Sequence, residues 1–301
     1  MAHDHSHADQ ANGRRLVIAI GITATVFLVE VVGALISGSL ALLADAGHML
    51  SDLTALVIAL VALRISVRPA NDRQTYGARR SEVLAAMVNG LILLGVIVYI
   101  TVEAVQRLAQ PSEVLGVPML IVATIGAVAN VASLMVLRGG KTHSINMRGA
   151  YLEVLGDLVG SIAVIFAGVV ILTTGLLVAD GIASLLVAAL IAPRAIALIR
   201  EALGVLAEST PRGTDVALIR NHVSATAGVV GVHDVHVWSI TPGVNVFSAH
   251  VVVEPAIFAG GSTGRLLDEL GACLADHFDV AHSTFQLEPA EHAAHEEHGH
   301  R

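Results

Sequence analysis

Three ionisable side chains lie in one of the most apolar stretches of the chain. The segment LLADAGHMLSDLTALVIAL, residues 42–60, carries Asp45, His48 and Asp52. Separations of three and four residues place all three on one face of a helix, over two turns. Polar groups buried in so apolar a segment need partners that compensate for their lost hydration.

A second apolar stretch repeats this arrangement. In AYLEVLGDLVGS, Glu153 and Asp157 are four residues apart and share one helical face. A charged carboxylate at the centre of a bilayer costs roughly 2.5 to 3.5 kcal/mol on insertion scales. Because Arg64, Arg107 and Arg138 lie at the ends of apolar runs, no basic side chain is expected inside one. The expected partner is therefore a cation from outside the chain.

Two such pairs on facing helices have the donors of a tetrahedral divalent-metal site. His48, Asp52, Glu153 and Asp157 would supply one nitrogen and three oxygen ligands. The imidazole favours zinc-like metals, whereas three oxygen donors make the site harder and less selective. Asp45, one turn nearer the outside, would be an exit ligand or would support the helix.

The alternative to a metal site is a set of solvated cavity residues, or of protonated carboxylates hydrogen-bonded between helices. We favour the metal site for the two matched pairs. For single acidic residues in apolar runs, the solvated or protonated state is at least as well supported as a metal site. These residues are Glu30, Glu103 and Asp180.

The composition of the whole chain indicates an integral membrane protein. Of 301 residues, 54% are hydrophobic and 14% are charged, and the mean hydropathy is +0.74. A bilayer core about 30 Å thick needs about 20 apolar residues per helix. Six runs of that kind predict an all-α six-helix transmembrane domain over residues 16–205. The runs are residues 16–36, 40–63, 83–105, 114–137, 150–172 and 176–199.

Basic residues predict how the spans are oriented, because cytoplasmic loops carry an excess of Lys and Arg. Among the Lys and Arg up to residue 200, only Arg107 falls at a loop on the opposite side. Both termini are therefore predicted to be cytoplasmic, in a bacterial inner membrane. The other basic residues are Arg14, Arg15, Arg64, Arg68, Arg73, Arg79, Arg80, Arg138, Lys141, Arg148, Arg194 and Arg200.

The composition changes after the last apolar run. Residues 201–301 hold 4 basic and 13 acidic residues, a net charge of −9 against +1 for the rest, which together give −8. An acidic domain, predicted over residues 206–290, makes nucleic acid an unsuitable partner. The single cysteine, Cys273, excludes an intrachain disulfide and a multi-cysteine zinc module.

Apolar spacing in this domain predicts the order helix, strand, strand, helix, strand. The helices are TDVALIRNHVSATAG and STGRLLDELGACLADHF, and the strands are VVGVHDVHVWSITPG, VNVFSAHVVVEP and AHSTFQLEP. This order predicts a compact α+β domain with one helical layer on one sheet. The head, residues 1–15, and the tail, residues 291–301, are polar and rich in His, and are predicted to be disordered.

Several possible metal ligands lie in or beside the predicted strands. Alternate residues of a strand share one face, so these side chains are candidates for a second metal site. The alternative is that some of them only pack or form hydrogen bonds, most of all the histidine two residues before the tryptophan. The candidates are His233, His236, His250, His282 and Glu288. Head and tail histidines form weak metal-binding tracts or solvated segments.

Ordered matches over nearly the whole chain resemble the cation diffusion facilitator family, the zinc-type metal/proton antiporters. The matching segments are SGSLALLADAGHMLSD, YGARRSEVLAAMVNG, NMRGAYLEVLGDLVGS, LGVLAESTP, GVHDVHVWSI and AHVVV. The resemblance implies a homodimeric six-span transporter with a cytoplasmic ferredoxin-like domain. Such a protein exports divalent metal in exchange for protons and is not an enzyme.

The resemblance places the transport site on His48, Asp52, Glu153 and Asp157. Many zinc-selective members carry His at the position of Glu153, whereas similar members with Glu resemble broader zinc, cobalt and cadmium exporters. Family members often bind zinc in the cytoplasmic domain, at or near the dimer contact. The resemblance therefore implies zinc first, with cobalt or cadmium next, as transported and regulatory ion. The implied partners are a second copy, membrane lipid, metal ions and protons.

Two other functions would also use buried histidine and carboxylates. An intramembrane metalloprotease would need H-E-x-x-H or a water-activating Glu beside a His pair, and the sequence contains no such motif. A membrane-bound metal sensor without transport activity has no need of a mid-membrane site. The sensor remains the alternative function.

Overall fold

The computed structural model of the chain describes residues 5–65, 71–72, 74–137, 145–278 and 280–295, with the side chains of some helical residues left undescribed. Six long helices come first. They are α1 (His5–Ser37), α2 (Leu40–Ile65), α3 (Arg80–Ala109), α4 (Gly116–Leu137), α5 (Ile145–Thr174) and α6 (Val178–Leu206). Shorter elements follow: α7 (Val216–Ser224), β1 (Val229–Thr241), β2 (Val244–Val253), α8 (Pro255–Ala259), α9 (Thr263–Phe278), β3 (Val280–Glu288) and α10 (Ala290–Ala293).

Five of the helices are long and apolar enough to cross a membrane. The spanning segments are Leu40–Ile58, Arg80–Ala109, Gly116–Met135, Val154–Thr174 and Val178–Leu206. In α1 the described apolar part is the shorter segment Thr23–Ser37. Helix α1 begins within the predicted head, and α10 lies at the start of the predicted tail.

The chain forms two compact units. One comprises residues 1–71 and 85–199, and the other comprises residues 72–84 and 200–301. The boundaries fall inside α3 and α6, so the second unit contains the first turn of α3 and the last turns of α6.

Small residues allow the helices of the first unit to approach closely. Its buried core includes many alanines, among them Ala41, Ala104 and Ala195, each with no exposed surface. A Cβ atom at Gly33 of α1 would lie 2.6 Å from a γ carbon of Val122 in α4, so only glycine fits there. Transmembrane helices use small residues in this way because contact area drives their association.

The turn between α1 and α2 is fixed by a buried carboxylate from α6. Asp180 has no exposed surface and accepts hydrogen bonds from Ser39 Oγ (2.6 Å), Leu40 N (2.8 Å) and Ala41 N (3.3 Å). It therefore satisfies free N–H groups at the start of α2. Arg107 of α3 donates to the carbonyl of Gly38 at 2.8 Å and lies 3.4 Å from Asp180 Oδ2.

The second unit contains a three-stranded sheet in the order β1-β2-β3. The hairpin of β1 and β2 is antiparallel, and β3 pairs parallel to β2 after a crossover through α9. Helices α7 and α9 supply Ile219, Leu270 and Leu274 to a core with Phe247 and other strand residues. The predicted order of two helices and three strands is confirmed, with short α8 and α10 added.

Candidate metal centres

A buried face of α2 carries the first two donors of a candidate site. His48 is 4% exposed, and the side chain of Asp52 is 27% exposed. The four-residue spacing brings His48 Nε2 to 3.6 Å from Asp52 Oδ2. Asn89 of α3 donates a hydrogen bond to Ser51 Oγ at 3.0 Å, which ties α3 to this part of α2.

Helix α5 adds a third donor to the same face. Asp157 Oδ1 lies 2.7 Å from His48 Nε2. The ligand atoms of His48, Asp52 and Asp157 all lie within 4.8 Å of one another. Glu153 lies one turn earlier in α5, but its side chain is outside the described residues.

The chemistry of these three side chains fits a divalent cation. Two carboxylates contribute two negative charges. The Nε2 atom of His48 can form only one hydrogen bond at a time. His48 Nδ1 is buried without a hydrogen-bond partner in the described part of the chain. A metal bound through Nε2 and the carboxylate oxygens would use these donors together.

Arg194 also reaches this site, and here the expectation that no basic side chain lies inside a span is wrong. Arg194 donates through one guanidinium nitrogen to Asp52 Oδ1 at 3.1 Å, and a second lies 2.9 Å from His48 Nε2. Helix α6 continues to Leu206, so Arg194 belongs to the interior of a spanning helix. Its long side chain extends from α6 to α2.

A cavity of about 180 Å³ lies beside these groups. His48, Asp157 and Arg194 contribute to its wall, together with Gly156 and Gly160 of α5. A Cβ atom at Gly156 would meet nothing within 4 Å, so the glycines leave open space beside the candidate ligands. The cavity therefore gives an ion or water room to reach them.

The other acidic residues of the helices have different surroundings. Glu103 accepts a hydrogen bond from Arg107 at 3.0 Å, and Asp180 caps α2, so both form contacts between or within helices. Asp45 is 6% exposed and also lines the cavity. Glu30 is 3% exposed, and its Oε2 has no hydrogen-bond partner among the described residues.

A second cluster of donors lies in the sheet. His233 of β1 pairs directly with His250 of β2, and their rings are 5.1 Å apart. Glu288, 1% exposed at the end of β3, is hydrogen-bonded to His233 Nε2, and its Oε2 lies 3.7 Å from His250 Nδ1. We call His233, His250 and Glu288 the cytoplasmic trio, and their ligand atoms also lie within 4.8 Å of one another.

Comparison with known proteins assigns the chain to a family. Residues 16–207 match the cation efflux transmembrane domain, and residues 211–290 match the cytoplasmic domain of cation efflux proteins. The chain belongs to the cation diffusion facilitator family. Its members are metal cation efflux transporters, so the family is not one of enzymes.

Curated relatives match this cation diffusion facilitator over almost its whole length. The metal cation efflux system protein CzcD of Cupriavidus metallidurans is 41% identical over 97% of this chain and 92% of its own length. A zinc transporter, ZitB of Pectobacterium atrosepticum, is 42% identical over 96% of this chain and 89% of its own. A cadmium, cobalt and zinc/H(+)-K(+) antiporter of Bacillus velezensis is 37% identical over 97% and 93%.

The structure of this cation diffusion facilitator separates two strand histidines from the cytoplasmic trio. A β-bulge between His233 and His236 places two residues of β1 opposite one residue of β2. His236 therefore pairs with Ser248, two positions along β2 from His250. His282 pairs with Val246, and its ring lies 5.7 Å from that of Tyr76. Among the described residues, neither joins the trio.

Two residues that lie close to the candidate ligands were not predicted as part of either site, because neither belongs to a pair of donors in an apolar run or a strand. Arg194 lies inside the predicted run 176–199 and was assigned to the cytoplasmic basic residues, although its depth in that run was visible. His292, assigned to the tail, has its Nε2 4.0 Å from Glu288 Oε2. Its position four residues after Glu288 was the signal for this proximity.

Proposed function

We propose that this cation diffusion facilitator exports divalent metal cations from the cytoplasm in exchange for protons, with zinc first and cobalt or cadmium next. The observation that carries the proposal is the convergence of His48, Asp52 and Asp157, from two membrane-spanning helices, within 4.8 Å. Glu153, which lies in α5 one turn before Asp157, would complete four-ligand coordination. Membership of an efflux family supports the direction of transport.

Exchange with protons follows from the chemistry of the ligands. Histidine and carboxylates bind metal only when deprotonated, and the same atoms take up protons when the metal leaves. His48 is the side chain best suited to exchange a proton near neutral pH. The site would face the cytoplasm and the outside in turn, carrying metal in one direction and protons in the other.

The choice of zinc as first substrate rests on the donor set. One imidazole with carboxylate oxygens suits zinc, and a site with three oxygens also admits cobalt and cadmium. The names of the zinc transporter and of the cadmium, cobalt and zinc antiporter support this set of metals. Manganese is less suitable because it prefers more oxygen ligands than this site offers, and Fe²⁺ is less suitable because the same donors bind it more weakly than zinc.

We propose an architecture of six spans, with residues 16–36 of α1 as the first. The described apolar segment Thr23–Ser37 continues a longer helix, which supports the count. The membrane domain would cover residues 16–205 and the ferredoxin-like cytoplasmic domain residues 206–290. The basic residues support placing both termini in the cytoplasm, at a bacterial inner membrane. A homodimer is supported by the match to the cytoplasmic domain.

The cytoplasmic trio would hold a regulatory metal ion. His233 and His250 offer two imidazoles, and Glu288 is a buried carboxylate between them. Together, the two imidazoles and the buried carboxylate supply the donors and the negative charge that zinc requires. His236 and His282 remain proposed ligands only if the sheet residues rearrange or a second copy completes another site.

The test is metal flux into liposomes that contain the purified full-length protein under a pH gradient. Zinc, cobalt, cadmium and manganese are compared, with a dye that reports internal pH. Wild type should move zinc fastest and move protons in the opposite direction. Asp157→Asn keeps the size of the side chain but removes its charge, and should abolish flux. Proton-independent zinc movement would rule out the exchange mechanism.

The alternative function is a metal sensor without transport, which the cytoplasmic trio would also suit. A sensor would bind metal in the trio and show no flux for any of the four metals. Its metal binding in the trio would also be unchanged by Asp157→Asn. These outcomes separate the two functions in one experiment.

A further inference from the structure

Arg194 contacts two of the three described donors of the proposed transport site. Its guanidinium lies 2.9 Å from His48 Nε2 and 3.1 Å from Asp52 Oδ1, through two different nitrogens. The flat fork of a guanidinium suits such two-point contact. The side chain of Arg194 is 39% exposed.

The guanidinium and a metal ion would need the same atoms. When neutral His48 carries its proton on Nδ1, the lone pair of Nε2 can accept a hydrogen bond from Arg194 or bind a metal ion, but not both. Asp52 Oδ1 is also engaged by Arg194. Two positive charges a few ångströms apart would further repel each other. Metal binding at His48 and Asp52 therefore requires Arg194 to move away.

The charges of the site are consistent with such an exchange. Asp52 and Asp157 carry two negative charges, and a divalent ion would neutralise both. Without metal, Arg194 neutralises one of them. An internal positive charge thus lowers the cost of leaving the carboxylates in an apolar surrounding.

The surroundings of Arg194 allow it to leave the site. The residue before it, Pro193, lies inside α6. A proline there removes one backbone hydrogen bond and loosens the helix locally. Arg194 also lines the cavity beside His48 and Asp157, which gives the side chain space to swing.

We propose that Arg194 is a displaceable internal counter-cation of the transport site. It holds His48 and Asp52 when no metal is bound and is displaced by the incoming metal. By keeping the empty site less charged, it allows the empty carrier to reorient in the membrane. This proposal rests on the transport site proposed above and deepens it.

The first measurement is metal affinity, taken with Co²⁺ as an absorbing probe on the full-length protein. All variants are made in a Glu288→Gln background, which removes Co²⁺ binding by the cytoplasmic trio. If Glu288→Gln folds poorly, His250→Gln replaces it as the background substitution. Arg194→Met keeps a long apolar side chain and removes the charge. Because a hydrogen-bonded charge competes for the ligands, its loss should tighten Co²⁺ binding by roughly tenfold. Arg194→Lys should give a smaller change.

The second measurement is zinc flux at saturating metal. Arg194→Met should transport several-fold more slowly than wild type although it binds metal more tightly, and Arg194→Lys should recover part of the rate. Arg200→Met is the matched control, because Arg200 is exposed on the same helix, and it should leave affinity unchanged.

The outcomes separate this proposal from the one it rests on. Unchanged or weaker Co²⁺ binding by Arg194→Met would overturn the counter-cation role, since a supporting residue would weaken the site. If His48→Ala abolishes binding in the same background, the transport site itself still stands. If Co²⁺ binding survives both His48→Ala and Asp157→Asn, the transport site fails, and Arg194 loses its role with it.

Discussion

The donor atoms at the proposed transport site would determine which ions it can hold. His48, Asp52 and Asp157 supply one nitrogen and two carboxylates within 4.8 Å. Charged oxygen ligands bind hard cations well, whereas nitrogen ligands favour zinc over harder metals. The position of Glu153 in α5, one turn from Asp157, makes it the residue where a change of donor would alter selectivity without removing the site.

Replacing Glu153 with His should narrow the range of transported metals. The substitution exchanges an oxygen donor for a nitrogen donor, which favours zinc relative to manganese. Initial rates of flux for the four metals, each over a range of concentrations, measure this selectivity. Glu113→His is the control, because Glu113 is exposed in the connection between α3 and α4, and its rates should match wild type. A Glu153→His profile equal to that of Glu113→His would remove Glu153 from the site.

At the scale of the helices, the bundle depends on close contacts made by specific residues. Asp180 of α6 caps α2 and contacts Arg107 of α3, so one carboxylate connects three helices. Gly33 lets α1 lie directly against Val122 of α4. The contacts of Asp180 hold α2, the helix that carries His48. Loss of either contact should reduce stability before it changes selectivity.

Asp180→Ala should destabilise the membrane domain by about 3 kcal/mol, because it leaves the N–H groups at the start of α2 without their partner and removes one contact of the partly buried Arg107. Thermal unfolding in detergent should show a lower Tm, with metal selectivity retained in the remaining folded protein. Glu103→Gln changes only a contact within α3 and should cost about 0.5 kcal/mol or less. A Tm for Asp180→Ala equal to that of Glu103→Gln would contradict the capping role.

Gly33→Ala should destabilise the contact between α1 and α4 by about 1 to 3 kcal/mol, because the added methyl group overlaps Val122. Removing the overlap with Val122→Ala in the same chain should recover part of the loss. The Tm of the single and double variants measures this coupling. Gly95→Ala is the control, since a Cβ atom there meets nothing within 4 Å. No recovery in the double variant would show that the contact is not the cause.

At the scale of the whole molecule, the described residues form two separate clusters of possible metal donors. The membrane site belongs to one compact unit, and the cytoplasmic trio belongs to the other. The trio combines residues from three strands, so the sheet must be formed before its donors meet. The two sites are therefore expected to bind metal as independent centres.

The two sites should contribute separately to the number of tightly bound zinc ions. Equilibrium dialysis of the full-length protein against zinc, with a weak chelator to suppress binding by head and tail histidines, measures this number. Asp157→Asn and Glu288→Gln should each remove one ion per chain, and the double variant should remove both. His222→Gln is a control outside both clusters and should remove none. Loss of both ions in either single variant would show that the centres are coupled.

The sequence alone determined the features that depend on local periodicity. Four-residue spacing placed His48 with Asp52 and Glu153 with Asp157, and apolar runs predicted the helices that span the membrane. Alternation and helical spacing predicted the order of elements in the cytoplasmic domain. Such patterns are visible in the sequence because residues that face lipid or the core must be apolar, and these residues recur with the period of the helix or strand.

Only the tertiary structure decided which distant side chains meet. Arg194 reaches His48 because its side chain spans the gap between α6 and α2, and Asp180 caps α2 from a helix far along the chain. His233 joins His250 and Glu288, whereas the β-bulge and the strand register leave His236 and His282 further along the sheet. These contacts depend on packing and register, which no local spacing encodes.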